Sequence, residues 1–181
     1  VSVDGAIHFI CMDWRHMAEM RAAADGVYAE MKNLIVWVKD NGGMGSFYRS
    51  QHELIFVFKV GTSAHLNTFG LGVTGRHGTI VWRYRGANSF SSDARGALSL
   101  HPTAKPVQMI ADAIKDVSGR GDIVLDLFGG SGSTLIAAAK TGRRGYLCDF
   151  DPTYCDRILA RWSAWAHDDP ELLEHREQTA A

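Results

Sequence analysis

Apolar positions along this chain follow two periods in turn. Residues 5–12 (GAIHFICM) form a nearly unbroken apolar run, the pattern of a strand buried on both faces. Asp13 follows at a helix N-cap position. Trp14, Met17, Met20, Ala24, Val27 and Met31 then recur at spacings of three and four, which predicts one apolar face of a helix. Residues 33–39 (NLIVWVK) and 53–60 (ELIFVFKV) read as two further strands, rich in β-branched and aromatic side chains. The loop between them contains Asn41-Gly42-Gly43 and Gly45. Residues 61–100 are glycine-rich and polar, with one short apolar patch at Thr79–Trp82, and predict loops with a single short strand.

Regular patterning returns at Pro106, which opens a helix carrying Val107, Ile110, Ala111, Ile114 and Val117 on one face and ending at Gly119 and Gly121. Residues 122–128 (DIVLDLF) predict a buried strand. Gly129-Gly130-Ser131-Gly132 is a tight loop, Ser133 to Thr141 a small-residue helix closed by Gly142, and residues 145–150 (GYLCDF) the next strand. Asp151-Pro152 caps a last helix with Tyr154, Ile158, Trp162 and Trp165 on its apolar face. Residues 122–150 are thus a βαβ unit with parallel strands. The predicted class is α/β: a Rossmann-like, doubly wound mixed sheet with helices on both faces.

Composition narrows the class. The chain has 181 residues, a net charge of −1, 46% hydrophobic and 22% charged residues, which fits one folded domain. No apolar run is long enough to span a membrane. Cys11, Cys148 and Cys155 form no CxxC pair, which argues against a zinc knuckle or a disulfide framework and points to a reducing, cytoplasmic setting. Charge is segregated. Residues 61–100 carry Arg76, Arg83, Arg85 and Arg95 against Asp93, a balance of +3, whereas residues 166–181 carry a balance of −4. We expect a domain over residues 1–165, with the basic stretch 61–100 inserted in it, and a flexible acidic tail over residues 166–181.

The loop D-L-F-G-G-S-G-S-T (126–134) joins the carboxyl end of a strand to a helix start, where open α/β sheets bind ligands. Gly130 and Gly132 allow a close approach to the backbone. Asp149 ends the following strand and can accept both hydroxyls of a ribose. Four readings compete. A structural glycine turn needs no ligand. A P-loop lacks its Gly-Lys-Ser/Thr. A dinucleotide fingerprint lacks its third glycine, since Leu135 stands there. An adenosyl ligand without phosphate suits Asp126 and Phe128 best, because a carboxylate at the strand end repels phosphate. Upstream, His101-Pro102-Thr103-Ala104-Lys105-Pro106 offers a hydroxyl and a point charge that suit an amino-acid carboxylate, or is merely a helix-entry loop.

The ordered set HPTAKP, DLFGGSGST and CDFDPTY resembles the C-terminal part of the β-class amino-methyltransferases of DNA, and W-x-K-x-N-G-G-M-G-S-F-Y-R-S-x-H-E-L (37–54) resembles their upstream hairpin. The likeness runs from about residue 5 to residue 165. It implies S-adenosylmethionine as cofactor and transfer of a methyl group to the exocyclic amine of a flipped-out adenine or cytosine, adenine N6 being preferred. Carried over position by position, Asp126, Phe128, Gly130, Gly132 and Thr134 match the cofactor loop. Asp149 matches the ribose acid, and Thr103, Lys105 and Pro106 match the segment around the methionine part. Leu127 and Ser133 depart from the family pattern conservatively. The region ahead of HPTAKP is the target-reading part of the family. This makes Arg76, Arg83, Arg85 and Arg95 candidate contacts to double-stranded DNA, with Tyr84 and Phe90 as stacking candidates and Arg49, beside Phe47 and Tyr48, as a second DNA-facing group.

The family's catalytic Asp-Pro-Pro-Tyr or Ser-Pro-Pro-Tyr is absent from these residues, so no catalytic residue and no metal ligand is assigned. Asp151-Pro152-Thr153-Tyr154 lacks the second proline and fits a helix cap. The chain opens with Val1 rather than Met, and we expect it to be the cofactor-binding piece of a longer enzyme, inactive alone. The resemblance implies that the absent motif strand belongs between the strands at 122–128 and 5–12, and we expect its loss to leave two unpaired edges. Some members of the family carry a ParB-like nuclease domain ahead of the methylase, so the resemblance allows one upstream here, and a homodimer is a further expectation. The alternatives are a non-catalytic adenosyl- or DNA-binding remnant, or an RNA or protein methyltransferase of the same fold. A nicotinamide-linked oxidoreductase is the most distant reading.

Overall fold

A computed structural model describes residues 1–43, 47–68, 78–86 and 104–171. The elements in chain order are β1 (Ile7–Met12), a 3-10 turn (Trp14–His16), α1 (Met17–Ala24), β2 (Glu30–Val38), β3 (His52–Lys59), β4 (Val81–Arg83), α2 (Val107–Val117), β5 (Ile123–Asp126), α3 (Ser133–Lys140), β6 (Arg144–Leu147) and α4 (Pro152–Ala166). Among the described residues the strands form two sheets, β1-β3-β2-β4 and β5-β6. The architecture is the expected mixed α/β one, but the sheet is not continuous.

β3 is the strand buried on both faces. It pairs antiparallel with β1 (Cys11 opposite Ile55) and with β2 (Trp37 opposite Glu53), and Leu54 to Phe58 are all buried. Side chains alternate between its faces. Ile55 and Val57, with Ile35 and Trp37 of β2, pack under Met109 of α2. Leu54, Phe56 and Phe58 pack under Ala24 and Met20 of α1. Complete burial of Phe56 and Ile55 contributes about 1.5–3 kcal/mol each. Helices thus cover both faces of this sheet.

Two strand expectations change. β1, expected to be buried on both faces, is half-buried along its whole length, because among the described residues only one of its edges is paired. β5, likewise expected to be buried, turns Ile123 and Leu125 to solvent beside Tyr146 of β6. Its opposite face packs Val124 against Ala111, Ile114, Ala137 and Ala138 of α2 and α3. α2 therefore touches both sheets, Met109 serving one and Ile114 the other.

The first helix is also shorter than its periodicity predicts. It ends at Ala24, Asp25 is extended and Gly26 has φ +71°. Val27 lies outside the helix and Met31 belongs to β2, opposite Phe58. Pairing with the central strand outweighs a helical repeat interrupted by Asp-Gly. Other local signals act as expected. Asp13 accepts a hydrogen bond from the Arg15 N–H and Asp151 from the Thr153 N–H, each at a helix start. The Thr79–Trp82 patch becomes β4, parallel to β2 through Val36 and Val81. No described helix is long and apolar enough to cross a membrane.

Candidate functional site at the carboxyl rim of the strands

The glycine loop leaves β5 at Asp126 and enters α3 at Ser133. Asp126 organises it from the strand side. Its Oδ1 accepts the Phe128 N–H at 3.0 Å and its Oδ2 accepts the Thr134 hydroxyl at 2.6 Å. Asp149 closes the loop from the β6 side, its Oδ2 accepting the Gly130 N–H at 2.8 Å and its Oδ1 the Asp151 N–H at 3.1 Å. The Gly129 N–H bonds the Cys148 carbonyl at 2.9 Å. Phe128 is 86% exposed beside this loop, a large apolar ring with little protein against it.

Gly130 and Gly132 both adopt positive φ, at 52° and 74°. For Gly132 the structure supplies a reason beside the expected room for a ligand. A Cβ there would lie 3.1 Å from Ile158 Cγ2 of α4, so the missing side chain makes space for the protein itself. A Cβ on Gly129 would meet the Ile158 Cδ1 at 2.8 Å. The sequence pattern puts Ile158 on the apolar face of the last helix, and the structure aims it at the loop.

Lys105 and Pro106 lie immediately before α2, while Thr103 lies outside the described residues. Lys105 does not stand free for a ligand. Its Nζ pairs with Glu53 Oε1 at 2.8 Å, and the other carboxylate oxygen of Glu53 pairs with Lys39 at 3.1 Å. Lys39 also sits 4.6 Å from the centre of the Trp37 ring. Burial raises the Glu53 carboxyl, but the two ammonium groups outweigh it and hold the group below its ordinary value. Burial pushes the neighbouring Cys11 thiol up to about 11, and that thiol also feels the charges of Lys105, Glu53, Asp126 and Lys39. The carboxyl ends of β1 and β5 thus flank one charged patch although the two strands are not paired.

Of the DNA-facing candidates, Arg49, Arg83 and Arg85 are exposed, whereas Arg76, Arg95 and Phe90 lie outside the described residues. The alternation is clean after Ile80: Arg83 and Arg85 face solvent, while Trp82 and Tyr84 turn to the core. Tyr84 is therefore not an exposed stacking group. Its hydroxyl donates to Asp112 Oδ2 at 2.9 Å and its carbonyl accepts the Trp37 indole N–H at 2.9 Å. Phe47 and Tyr48 remain exposed, with ring centroids 4.5 Å apart.

Sequence reasoning missed Glu53, Lys39 and Arg161. The first two flank the hairpin loop and become a pair only through the register that sets Trp37 opposite Glu53. Arg161 sits three residues after Ile158, on the same helix face, and that spacing was the available signal. No group of three potential metal ligands occurs among the described residues.

The DNA methylase family model of the N6/N4 type matches residues 1–160. YubD of Escherichia coli (strain K12), a methylase by name, is 27% identical over 131 residues, which are 72% of this chain and 50% of YubD. The chain thus spans about half the length of that relative. The crystal structure of the M1.HpyAVI–SAM complex superposes with a TM-score of 0.71 at 18% identity, over 88% of this chain and 75% of the other. The cytosine-N4-specific PvuII DNA methyltransferase superposes with a TM-score of 0.64 at 14% identity, over 86% of this chain and 64% of the other. These superpositions identify the fold as the Rossmann-like α/β fold of such enzymes.

Proposed function

The chain belongs to the DNA methylase family, and from that premise we propose that it is the cofactor-binding and DNA-facing part of an S-adenosylmethionine-dependent amino-methyltransferase. The observation that carries the cofactor reading is the 2.8 Å hydrogen bond from the Gly130 N–H to Asp149. It sets a carboxylate across the mouth of the glycine loop at the carboxyl end of β5. Both Asp149 oxygens accept backbone N–H groups, which fixes the carboxylate at the loop mouth, and a carboxylate so placed suits the hydroxyls of a ribose. Phe128 provides an apolar ring beside it. The loop holds no lysine, and Asp126 adds negative charge, so the chemistry suits an adenosyl group better than a pyrophosphate.

In this reading Asp149 holds the ribose, Phe128 and the loop backbone line the adenosyl group, and the Lys105–Glu53–Lys39 cluster lies on the side of the amino-acid part. The bound cofactor supplies an activated methyl group. Arg49, Arg83 and Arg85 hold duplex DNA by its phosphates. The methyl acceptor we assign is the exocyclic amine of adenine, with cytosine N4 as the alternative. Among the described residues β1 and β5 each have one edge without a strand beside it, and there we place the strand carrying the catalytic polar-Pro-Pro-aromatic motif, which this sequence does not contain.

The test is a thermal melt of the chain with and without S-adenosylhomocysteine, repeated with Asp149→Ala. Ligand at about 100 times its dissociation constant adds about 2.7 kcal/mol. A stabilisation that disappears in Asp149→Ala supports the site. A cooperative melt that does not move in the wild-type chain removes it.

A further inference from the structure

The glycine loop is held not only by the two aspartates on its rim but also from behind. Ser131 and Ser133 are buried, and their hydroxyls lie 3.1 Å apart. Arg161 of α4 reaches both. One guanidinium nitrogen, Nη1, donates to the Ser131 carbonyl at 2.6 Å, to Ser133 Oγ at 3.0 Å and to Ser131 Oγ at 3.2 Å. One turn earlier on the same helix, Ile158 lies where Cβ atoms on Gly129 or Gly132 would stand. A guanidinium drawn into a partly buried site must recover hydrogen bonds lost to water, and here it recovers them from loop oxygens. The backbone of a glycine-rich loop has many conformations to lose on ordering. A side chain that fastens its middle carbonyl and two hydroxyls selects one of them before any ligand arrives.

We propose that Arg161 is a positioning residue for the cofactor loop: it fixes residues 131–133 from α4, so that adenosyl-ligand affinity depends on a group of the last helix as well as on Asp149. The inference rests on the cofactor reading above. It adds that the last helix is part of the binding device rather than a cover for the sheet. The loop is thereby clamped at three points: Asp126 at its start, Asp149 at its middle N–H, and Arg161 at its inner carbonyl and hydroxyls.

The experiment is calorimetric titration of the full chain with S-adenosylhomocysteine at a temperature where every variant is folded. Arg161→Gln should weaken binding by about tenfold. Arg161→Lys, which keeps a cationic donor, should recover most of it. Ser133→Ala should add little on top of Arg161→Gln, since both act through one contact. Phe56→Leu, in the core against α1 and remote from the loop, serves as a control for loss of stability. It should lower the melting temperature without changing affinity. Arg161→Gln binding within twofold of wild type overturns the inference and leaves the cofactor site standing. An equal loss of affinity in Phe56→Leu also overturns it, because the effect would then be global. No binding by the wild-type chain overturns the cofactor reading and this inference together.

Discussion

Thr134 Oγ1 donates a 2.6 Å hydrogen bond to Asp126 Oδ2, tying the second residue of α3 to the last residue of β5. The same carboxylate accepts the Phe128 N–H, so one side chain sets both ends of the turn. Thr134→Val keeps the shape and removes the donor. It should destabilise the chain by about 1–2 kcal/mol, read from urea unfolding, and Thr134→Ser should restore most of that loss.

Glu53 gives the chain an acid-sensitive clamp. Its folded carboxyl titrates below the ordinary value near 4.5. A depressed folded value stabilises above the unfolded one, and the contribution disappears as pH falls through the folded one. Glu53→Gln should therefore be less stable than wild type at pH 7, by about 1–3 kcal/mol. The difference should shrink steadily as the pH falls below 4.5. Paired denaturation curves between pH 7 and pH 3 check this, and a constant difference would refute the assignment.

Gly132 and Gly26 have similar positive φ, +74° and +71°, but different surroundings. An added Cβ meets nothing within 4 Å at Gly26, whereas at Gly132 it meets Ile158 at 3.1 Å. Gly26→Ala should cost only the left-handed backbone penalty, about 1–2 kcal/mol. Gly132→Ala should cost more than that and should also weaken S-adenosylhomocysteine binding. Melting temperatures of the two variants separate backbone strain from loss of loop packing.

Arg49, Arg83 and Arg85 project from the surface without a role in the core. Changing all three to glutamate should leave the melting temperature nearly unchanged and weaken binding of duplex DNA. Each phosphate contact removed should also reduce the slope of log K against log salt by about 0.9. Fluorescence anisotropy at several salt concentrations measures both, and an unchanged slope would exclude these arginines from the interface.

The cysteines report the fold directly. Cys148 is exposed, whereas Cys11 is half-buried and burial pushes its thiol up to about 11. At pH 8 a maleimide should label Cys148 quickly in the native chain and Cys11 far more slowly until the chain unfolds. Rapid native labelling of Cys11 would mean that the β1 edge opens readily.

The sequence by itself determined the elements whose signals are local. Asp13 and Asp151 as caps, Gly142 as a helix stop, the βαβ order and the glycine loop with its distant acid were all legible, because each is written within a few residues or in one strand period. It also carried the motif order that identifies the family. Tertiary structure decided the rest. Met31 left a helical repeat because β3 offered a pairing partner. Ile123 and Leu125 are exposed because, among the described residues, helices cover only one face of β5 and β6, which strand periodicity does not encode. Lys105 found Glu53, and Arg161 found Ser131, across gaps of 52 and 30 residues. Such partners are chosen by strand register and helix packing, since a side chain bonds to whatever the fold brings within about 3 Å of it.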